Sequence, residues 1–177
     1  MVGPDVTDVV AAAAGDMAAF ERVVRTMQGP VWRYLVHLVR DHTIAEDLSQ
    51  EVFLRAHRKL HTLEDPERFV PWLFITARNV AYDHARARKR RPFEVVSRPD
   101  IVSTPSHDLY LAVEVRDALA RLDADLREAL VMVGLIGLTY QEAADAIGVP
   151  EGTVKSRTFR ARKQLLEILG PGDDDDH

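Results

Sequence analysis

Hydrophobic residues recur every three or four positions along most of this chain, which is the spacing of one face of an α-helix. The first stripe follows Asp16, which can cap a helix, and runs toward Arg40. Its members are Phe20, Val23, Val24, Met27, Val31, Leu35 and Leu38. Gly29 and Pro30 predict a kink or a break within it. No segment of useful length alternates between apolar and polar residues as a β-strand does, so the pattern predicts an all-α protein.

Two further stripes predict helices in the first half of the chain. Thr43 and Glu46 have the spacing of a capping box at the start of one helix. Its core-facing residues are Ala45, Leu48, Val52, Ala56 and Leu60. Asp65 and Pro66 are a typical start for the next helix, which we expect to reach about Arg90. Its stripe consists of Phe69, Trp72, Leu73, Thr76, Ala77, Val80 and Ala81.

Residues 92–107 contain three prolines and three serines and have no periodicity, which is typical of a linker. We therefore predict a flexible leader over residues 1–15, a helical domain over 16–91 and the linker. A second helical domain over 108–169 and a polar, acidic tail over 170–177 complete the chain. The second domain has two stripes before its last helices. They are Leu111, Val115, Ala118, Leu119 and Leu122, and, after a cap at Asp123, Leu126, Ala129, Leu130, Val133 and Leu135.

Two short helices joined by a tight turn end the second domain. Thr139 and Glu142 predict a capping box, and Gly148 predicts the end of that first helix. Ala143, Ala144 and Ile147 share one face of it. The second helix starts near Glu151 and is rich in cations, which are Lys155, Arg157, Arg160, Arg162 and Lys163. This pattern is typical of a DNA-binding helix-turn-helix. The alternative is that the cations merely form the solvent-exposed face of a surface hairpin.

Composition and charge narrow the function classes. The chain has no cysteine, no apolar run long enough to span a bilayer and no basic amino-terminal region, so we expect a cytoplasmic protein without membrane insertion. Its formal net charge is −5, and Asp173 to Asp176 account for four of these negative charges. The cations cluster after Gly152 and in a block at Arg86, Arg88, Lys89, Arg90 and Arg91. Two basic blocks suggest two contacts with a polyanion.

Little in the sequence indicates an enzyme. His57 and His61 are four residues apart and could ligate a metal from one helix face, but no third ligand has a convincing spacing. There is no phosphate-binding glycine loop and no recognisable nucleophile motif. We therefore expect no catalytic residue, no metal and no cofactor.

Three stretches together resemble the extracytoplasmic-function (ECF) group of the bacterial sigma-70 superfamily. They are AEDLSQEVFLRAHRKL (Ala45 to Leu60), RFVPWLFITARNVAYDHARARKRR (Arg68 to Arg91) and GLTYQEAADAIGVPEGTVKSRTFRARKQLL (Gly137 to Leu166). They occur in the family's order and spacing. The resemblance implies a region 2 helical bundle and a region 4 helix-turn-helix, in a protein that is not an enzyme but directs core RNA polymerase to promoters. The family's usual leucine in the last helix is Thr158 here.

The resemblance also implies three binding surfaces. The helix around Asp47, Gln50 and Glu51 would dock on the β′ clamp of core polymerase. These polar side chains lie largely off the apolar stripe, and capping alone accounts poorly for Gln50 and Glu51. The single-stranded −10 element would meet the His61 to Asp65 loop and the long helix, at His61, Thr62, Asn79, Asp83, Arg86, Arg88, Lys89 and Arg90. The −35 duplex would meet Thr139, Glu151, Thr153, Lys155, Ser156, Arg157 and Arg160. A family member is normally held inactive by an anti-sigma factor, so such a partner is implied too.

The alternative from a different class is a stand-alone helix-turn-helix regulator whose first domain dimerises or senses. It would bind duplex DNA without polymerase, usually at a palindrome. The helix from Arg68 to Arg91 separates the two hypotheses, because a sensor domain does not need aromatic residues followed by a cation block. Phe69 and Trp72 on that helix could stack on unpaired bases or could be ordinary core residues.

Overall fold

The computed structural model describes residues 3–90, residue 115 and residues 117–170, with the side chains of Lys89 and Arg90 excepted. The chain divides into two compact units, Met1–Arg98 and Pro99–His177. All regular structure in the described ranges is helical, which confirms the predicted all-α class. The predicted linker and most of the acidic tail lie outside the described residues, as does Leu111. None of the described helices is both long and apolar enough to cross a membrane.

The described part of the first unit contains four helices. They are α1 (Val6–Ala13), α2 (Met17–Val39), α3 (His42–Lys59) and α4 (Phe69–Arg90). Two 3₁₀ turns, Leu60–Thr62 and Pro66–Arg68, connect α3 to α4. Helix α2 packs on the three other helices, and α3 also packs on α4. The largest fully buried side chains include Met27, Tyr34, Leu35, Leu73 and Phe74.

The predicted flexible leader is wrong for the residues described, because this segment forms α1. Asp5 caps the helix by accepting a hydrogen bond from the backbone N–H of Thr7 at 2.8 Å. Val9 and Ala12 are buried, and α1 packs on α2 and on both 3₁₀ turns. Eight residues of mainly alanine and valine show too little periodicity to reveal this helix from sequence.

One other expectation in the first unit is corrected, and a second is narrowed. Asp41 caps α3, accepting a hydrogen bond from the N–H of Ile44 at 2.9 Å, so Thr43 already lies within the first turn. Of the kink or break expected at Gly29 and Pro30, the break does not occur, because Pro30 lies inside α2. Met27 and Val31 are fully buried on either side of Pro30, and their packing offsets the hydrogen bond that proline cannot donate. Helix α2 ends at Arg40, which adopts a left-handed conformation with φ of 57°.

The second unit begins, in its described part, with a helical segment at residues 117–121. Its other helices are α5 (Ala124–Leu130), α6 (Tyr140–Ile147) and α7 (Glu151–Leu169). Helix α5 continues as a π-helical segment, Val131–Ile136. Helix α7 packs on α5 and α6. The core of this unit contains Leu119, Leu122, Leu126, Leu130 and Ala161.

The predicted helix-turn-helix is present in the structure. Thr139 and Glu142 form the reciprocal capping box, and Gly148 ends α6 in the left-handed region with φ of 77°. Upstream, Leu135 is 46% exposed, so its predicted place in the core is wrong. The π-helical segment changes the residue spacing, and Met132, Ile136 and Leu138 are buried instead.

Thr158 on α7 is 1% exposed, and its hydroxyl has no hydrogen-bond partner in the described part of the chain. We therefore expect Thr158→Val to raise the free energy of unfolding by about 1 kcal/mol, because it removes a buried polar group of nearly the same shape. Chemical denaturation measures the change. Thr43→Val is the control, since Thr43 is exposed on α3 and should change stability little. A less stable Thr158→Val variant would contradict the assignment.

Candidate protein and nucleic-acid interfaces

One face of α3 is polar and open to solvent. Asp47 and Gln50 are exposed, whereas Leu48 and Val52 on the opposite side are buried. Leu54, one turn beyond Gln50, is 53% exposed and was missed in the sequence because it lies off the apolar stripe. A large apolar side chain beside polar groups is typical of a protein contact surface. This face can therefore receive a partner protein.

Arg55 on α3 bonds to two carboxylates, one on α3 itself and one on α4. Its Nε donates to Glu51 Oε1 at 2.7 Å, and its Nη1 donates to Asp83 Oδ2 at 3.0 Å. These hydrogen bonds, to Glu51 first and to Asp83 second, raise the pKa of Arg55 above its usual value. The sequence could suggest the Glu51–Arg55 pair from its spacing of four residues. The contact with Asp83 depends on tertiary packing, and Arg55 was not predicted.

The exposed face of α4 carries part of the predicted −10 set. Asn79 and Asp83 are exposed one turn apart, and Arg86 and Arg88 are exposed beyond them. The guanidinium of Arg78 lies 4.4 Å from the centre of the Tyr82 ring, so this face also presents an aromatic–cation pair. The side chains of Lys89 and Arg90 lie outside the described residues. Phe69 is 1% exposed and is a core residue, not a ring available to bases.

His61 and Thr62 are exposed on the first 3₁₀ turn, where the Thr62 hydroxyl donates to the carbonyl oxygen of Lys59 at 2.7 Å. Helix α1 packs beneath this turn and beneath the next one. Asn79 is ten residues beyond the start of α4, about 15 Å along its axis. Asp83 therefore contacts Arg55 in the second half of α4. His61 and Thr62 precede the amino-terminal end of that helix.

The amino-terminal half of α7 exposes polar and basic groups. Lys155, Ser156 and Arg160 are exposed, and Thr153 is half-buried. Lys155 Nζ lies 2.8 Å from Glu151 Oε1 and 5.7 Å from the centre of the Tyr140 ring. The predicted site residue Thr139 is exposed but is engaged in the cap of α6, where its N–H donates to Glu142 at 2.8 Å.

Arg157 differs from its neighbours on α7. Its Nη2 donates to Asp125 Oδ2 at 2.5 Å, and its side chain is only 19% exposed. Asp125 lies in the first turn of α5, so this ion pair ties the two helices together. In this structure Arg157 contacts its own unit and is not presented as an open basic group.

The last helix also exposes two large apolar side chains. Phe159 is 71% exposed and Leu166 is 70% exposed. They are seven residues apart, which is about two helical turns. The buried position next to Phe159 is taken by Thr158. Phe159 therefore does not fill the place of the missing leucine in the core.

The two histidines considered as metal ligands are both exposed. His57 Nε2 lies 3.2 Å from Met17 Sδ, and its ring packs against Phe20 with centroids 4.9 Å apart. The described ranges contain no group of three or more His, Asp or Glu side chains arranged to hold a metal ion.

Comparison with known proteins agrees with this architecture. Residues 23–91 match the family model of sigma-70 region 2, and residues 112–165 match that of sigma-70 region 4. The chain is 37% identical over 171 residues to a probable RNA polymerase sigma-C factor of Mycobacterium bovis, covering 93% of this chain and 90% of that protein. It is 31% identical over 164 residues to the ECF RNA polymerase sigma factor SigM of Bacillus subtilis, covering 88% and 98%.

A solved structure has a similar fold. The sigma factor RpoE of Bartonella quintana, solved in complex with the anti-sigma factor NepR, has a TM-score of 0.73 and 31% identity. The match covers 88% of this chain and 98% of that one. The resemblance drawn from the three sequence motifs is confirmed, and the chain belongs to the extracytoplasmic-function group of the sigma-70 family.

Proposed function

We propose that this protein binds core RNA polymerase in the cytoplasm and directs it to promoters through two separate DNA contacts, without catalysing a reaction itself. The observation that carries the proposal is the division of the matched regions between two units. The region 2 unit offers an open acidic face, and the region 4 unit offers a basic helix in a helix-turn-helix. A stand-alone regulator needs no such polymerase-facing surface.

The polymerase contact is assigned to α3, with Asp47 and Gln50 at its centre and Glu51 at its edge. Leu54 adds apolar area to this face. Charged and polar groups at such a contact select the partner, while the buried apolar group supplies affinity. The β′ clamp of core polymerase is the partner that the family membership supports.

The −10 element is assigned, as single-stranded DNA, to the first 3₁₀ turn and to α4. Asn79 and Asp83 can hydrogen-bond the Watson–Crick edge of an unstacked base, and Arg86 and Arg88 can hold phosphates. His61, Thr62, Lys89 and Arg90 remain predicted members of this surface. The −35 duplex is assigned to α7, where Lys155, Ser156 and Arg160 are open to DNA. Thr139, Glu151, Thr153 and Arg157 would support it.

An anti-sigma factor is the second protein partner in this proposal. The similar solved structure is a complex with an anti-sigma factor. The exposed Phe159 and Leu166 on α7 and Leu54 on α3 supply apolar groups that such a partner can cover.

Reconstituted transcription tests the proposal. Mycobacterial core RNA polymerase is mixed with the protein and a pool of genomic fragments, and the run-off products are sequenced. We expect discrete start sites that share two spaced elements, and no such products from core polymerase alone. If the protein alone retards duplex DNA at a palindrome and gives no transcripts with core polymerase, it is the stand-alone regulator.

A further inference from the structure

The guanidinium of Arg55 connects the two proposed binding surfaces of the first unit. Its Nε bonds to Glu51, on the polymerase-facing helix α3, and its Nη1 bonds to Asp83, on the DNA-facing helix α4. The three side chains are 35%, 41% and 53% exposed, in the order Arg55, Glu51 and Asp83. One cation therefore lies between two anions that belong to different proposed contacts.

This geometry limits the motion of the Asp83 carboxylate. A guanidinium presents its N–H groups in a rigid planar fork, so a bond from Nε to Glu51 also fixes the direction in which Nη1 points. Oδ2 of Asp83 is held by that nitrogen, which leaves Oδ1 directed elsewhere as an acceptor. Without Arg55, Asp83 would be an exposed side chain free to change rotamer, near a second carboxylate that repels it.

We propose that Arg55 is a positioning residue for promoter selection, which holds Asp83 in the orientation that accepts a hydrogen bond from an unpaired −10 base. This inference rests on the proposed function, because it takes Asp83 to contact the −10 element. The bases that suit a fixed carboxylate are those with an N–H donor on the Watson–Crick edge. Arg55 itself touches neither the base nor polymerase in this arrangement.

A purely structural role for Arg55 makes a different prediction. If the ion pairs only hold α3 against α4, their loss lowers stability and weakens every promoter by the same factor. If Arg55 positions Asp83, its loss lowers the ratio of affinities between the correct promoter and one with a wrong −10 base. Selectivity, and not affinity alone, is therefore the informative quantity.

The experiment uses holoenzyme made from core polymerase and each variant. The probes are a promoter obtained from the run-off transcription above and copies of it with one −10 base changed at a time. Fluorescence anisotropy gives the affinity of each holoenzyme for each probe. The variants are Arg55→Ala, Asp83→Ala, the double variant and Arg55→Lys, with Arg25→Ala as the control. Arg25 forms a single i,i+4 ion pair with Glu21 within α2, a helix that carries neither proposed surface.

We expect Arg55→Ala to lower selectivity at one −10 position by about threefold, the scale of a partly exposed ion pair. Asp83→Ala should lower selectivity at the same position, and the double variant should be no worse than Asp83→Ala. Arg55→Lys should not restore selectivity, because an ammonium cannot hold both carboxylates in the geometry of the fork. Arg25→Ala should behave as the wild type.

Three outcomes would overturn the inference while leaving the proposed function intact. The first is normal selectivity in Arg55→Ala when Asp83→Ala has lost it. The second is a double variant that is less selective than Asp83→Ala alone. The third is full restoration of selectivity by Arg55→Lys. Normal selectivity in Asp83→Ala would instead show that Asp83 does not contact the −10 base. That result would overturn both this inference and the proposed role of Asp83, whereas absence of promoter-specific transcription by the wild type would overturn the function itself.

Discussion

Replacing Asp47 by arginine is expected to weaken binding to core RNA polymerase by about a hundredfold, or roughly 3 kcal/mol, the scale of a like-charge clash in an interface. Asp47 is exposed at the centre of the polar face of α3, so the change does not disturb the core of the unit. Titration of fluorescently labelled variant with core polymerase measures the affinity. Gln50→Ala, which removes one hydrogen-bonding group without reversing a charge, should have a smaller effect in the same direction.

The matched control for this charge reversal is Glu21→Arg on α2. The side chain of Glu21 is 71% exposed. Glu21→Arg changes the net charge by the same amount as Asp47→Arg. We expect wild-type affinity for core polymerase from Glu21→Arg, and thermal melting curves close to wild type for both variants. Wild-type affinity in Asp47→Arg would show that α3 does not form the polymerase contact.

The sequence predicted several helix ends at which one side chain or one glycine determines the geometry, although it placed the cap of α3 at Thr43 instead of Asp41. Asp16 and Thr139 cap the helices that they were expected to cap, and Gly148 ends α6. Asp65 instead caps the 3₁₀ turn that precedes α4. At such positions a local hydrogen bond or a positive φ decides the structure, so neighbouring residues suffice for the prediction.

The failures occur where distant packing outweighs local preference. Helix α1 is stabilised by burial of Val9 and Ala12, which its own sequence does not reveal. At Pro30 the sequence left a kink and a break open, and α2 is continuous there, with Met27 and Val31 buried on either side. The π-helical segment moves Leu135 out of the core, and a simple helical period cannot predict such a change.

The same distinction between local pattern and distant packing applies to the candidate sites. Exposure of Asp47, Gln50 and Asn79 follows from their positions off the apolar stripes, and the sequence predicted it. The partners of Glu51, Asp83 and Arg157 do not follow from the sequence. Arg55 and Asp83 are 28 residues apart, and Arg157 and Asp125 are 32 apart, so only the packed helices bring them together.

The second large effect is expected at the amino-terminal half of α7. Lys155→Ala should weaken binding of holoenzyme to a −35 duplex by about tenfold, the lower end of what one base-reading contact contributes. Lys155 is 55% exposed, and its pairing with Glu151 on the same helix is a surface contact that DNA can readily replace. Competition binding with −35 duplexes that differ at single positions measures both affinity and selectivity. Uniform loss would indicate a phosphate contact, and loss at one position a base contact.

Lys163→Ala is the control for this experiment, because Lys163 is 71% exposed on the same helix but lies two turns beyond Lys155. It should bind the −35 duplex as the wild type does. If Lys155→Ala also binds normally, α7 is not the reading helix.

Arg157→Ala separates recognition from support on the same helix. Because Arg157 pairs with Asp125 on α5 and is mostly buried, its removal should lower the free energy of unfolding by about 1 kcal/mol, which Lys155→Ala should not do. Its effect on duplex affinity should then be uniform over all −35 sequences, since a displaced helix loses every contact together. Loss of selectivity at one position in a fully stable Arg157→Ala variant would show that this arginine leaves Asp125 and reads a base. The stability and the selectivity of the two variants together therefore decide which cation of α7 recognises DNA and which one holds the helix in place.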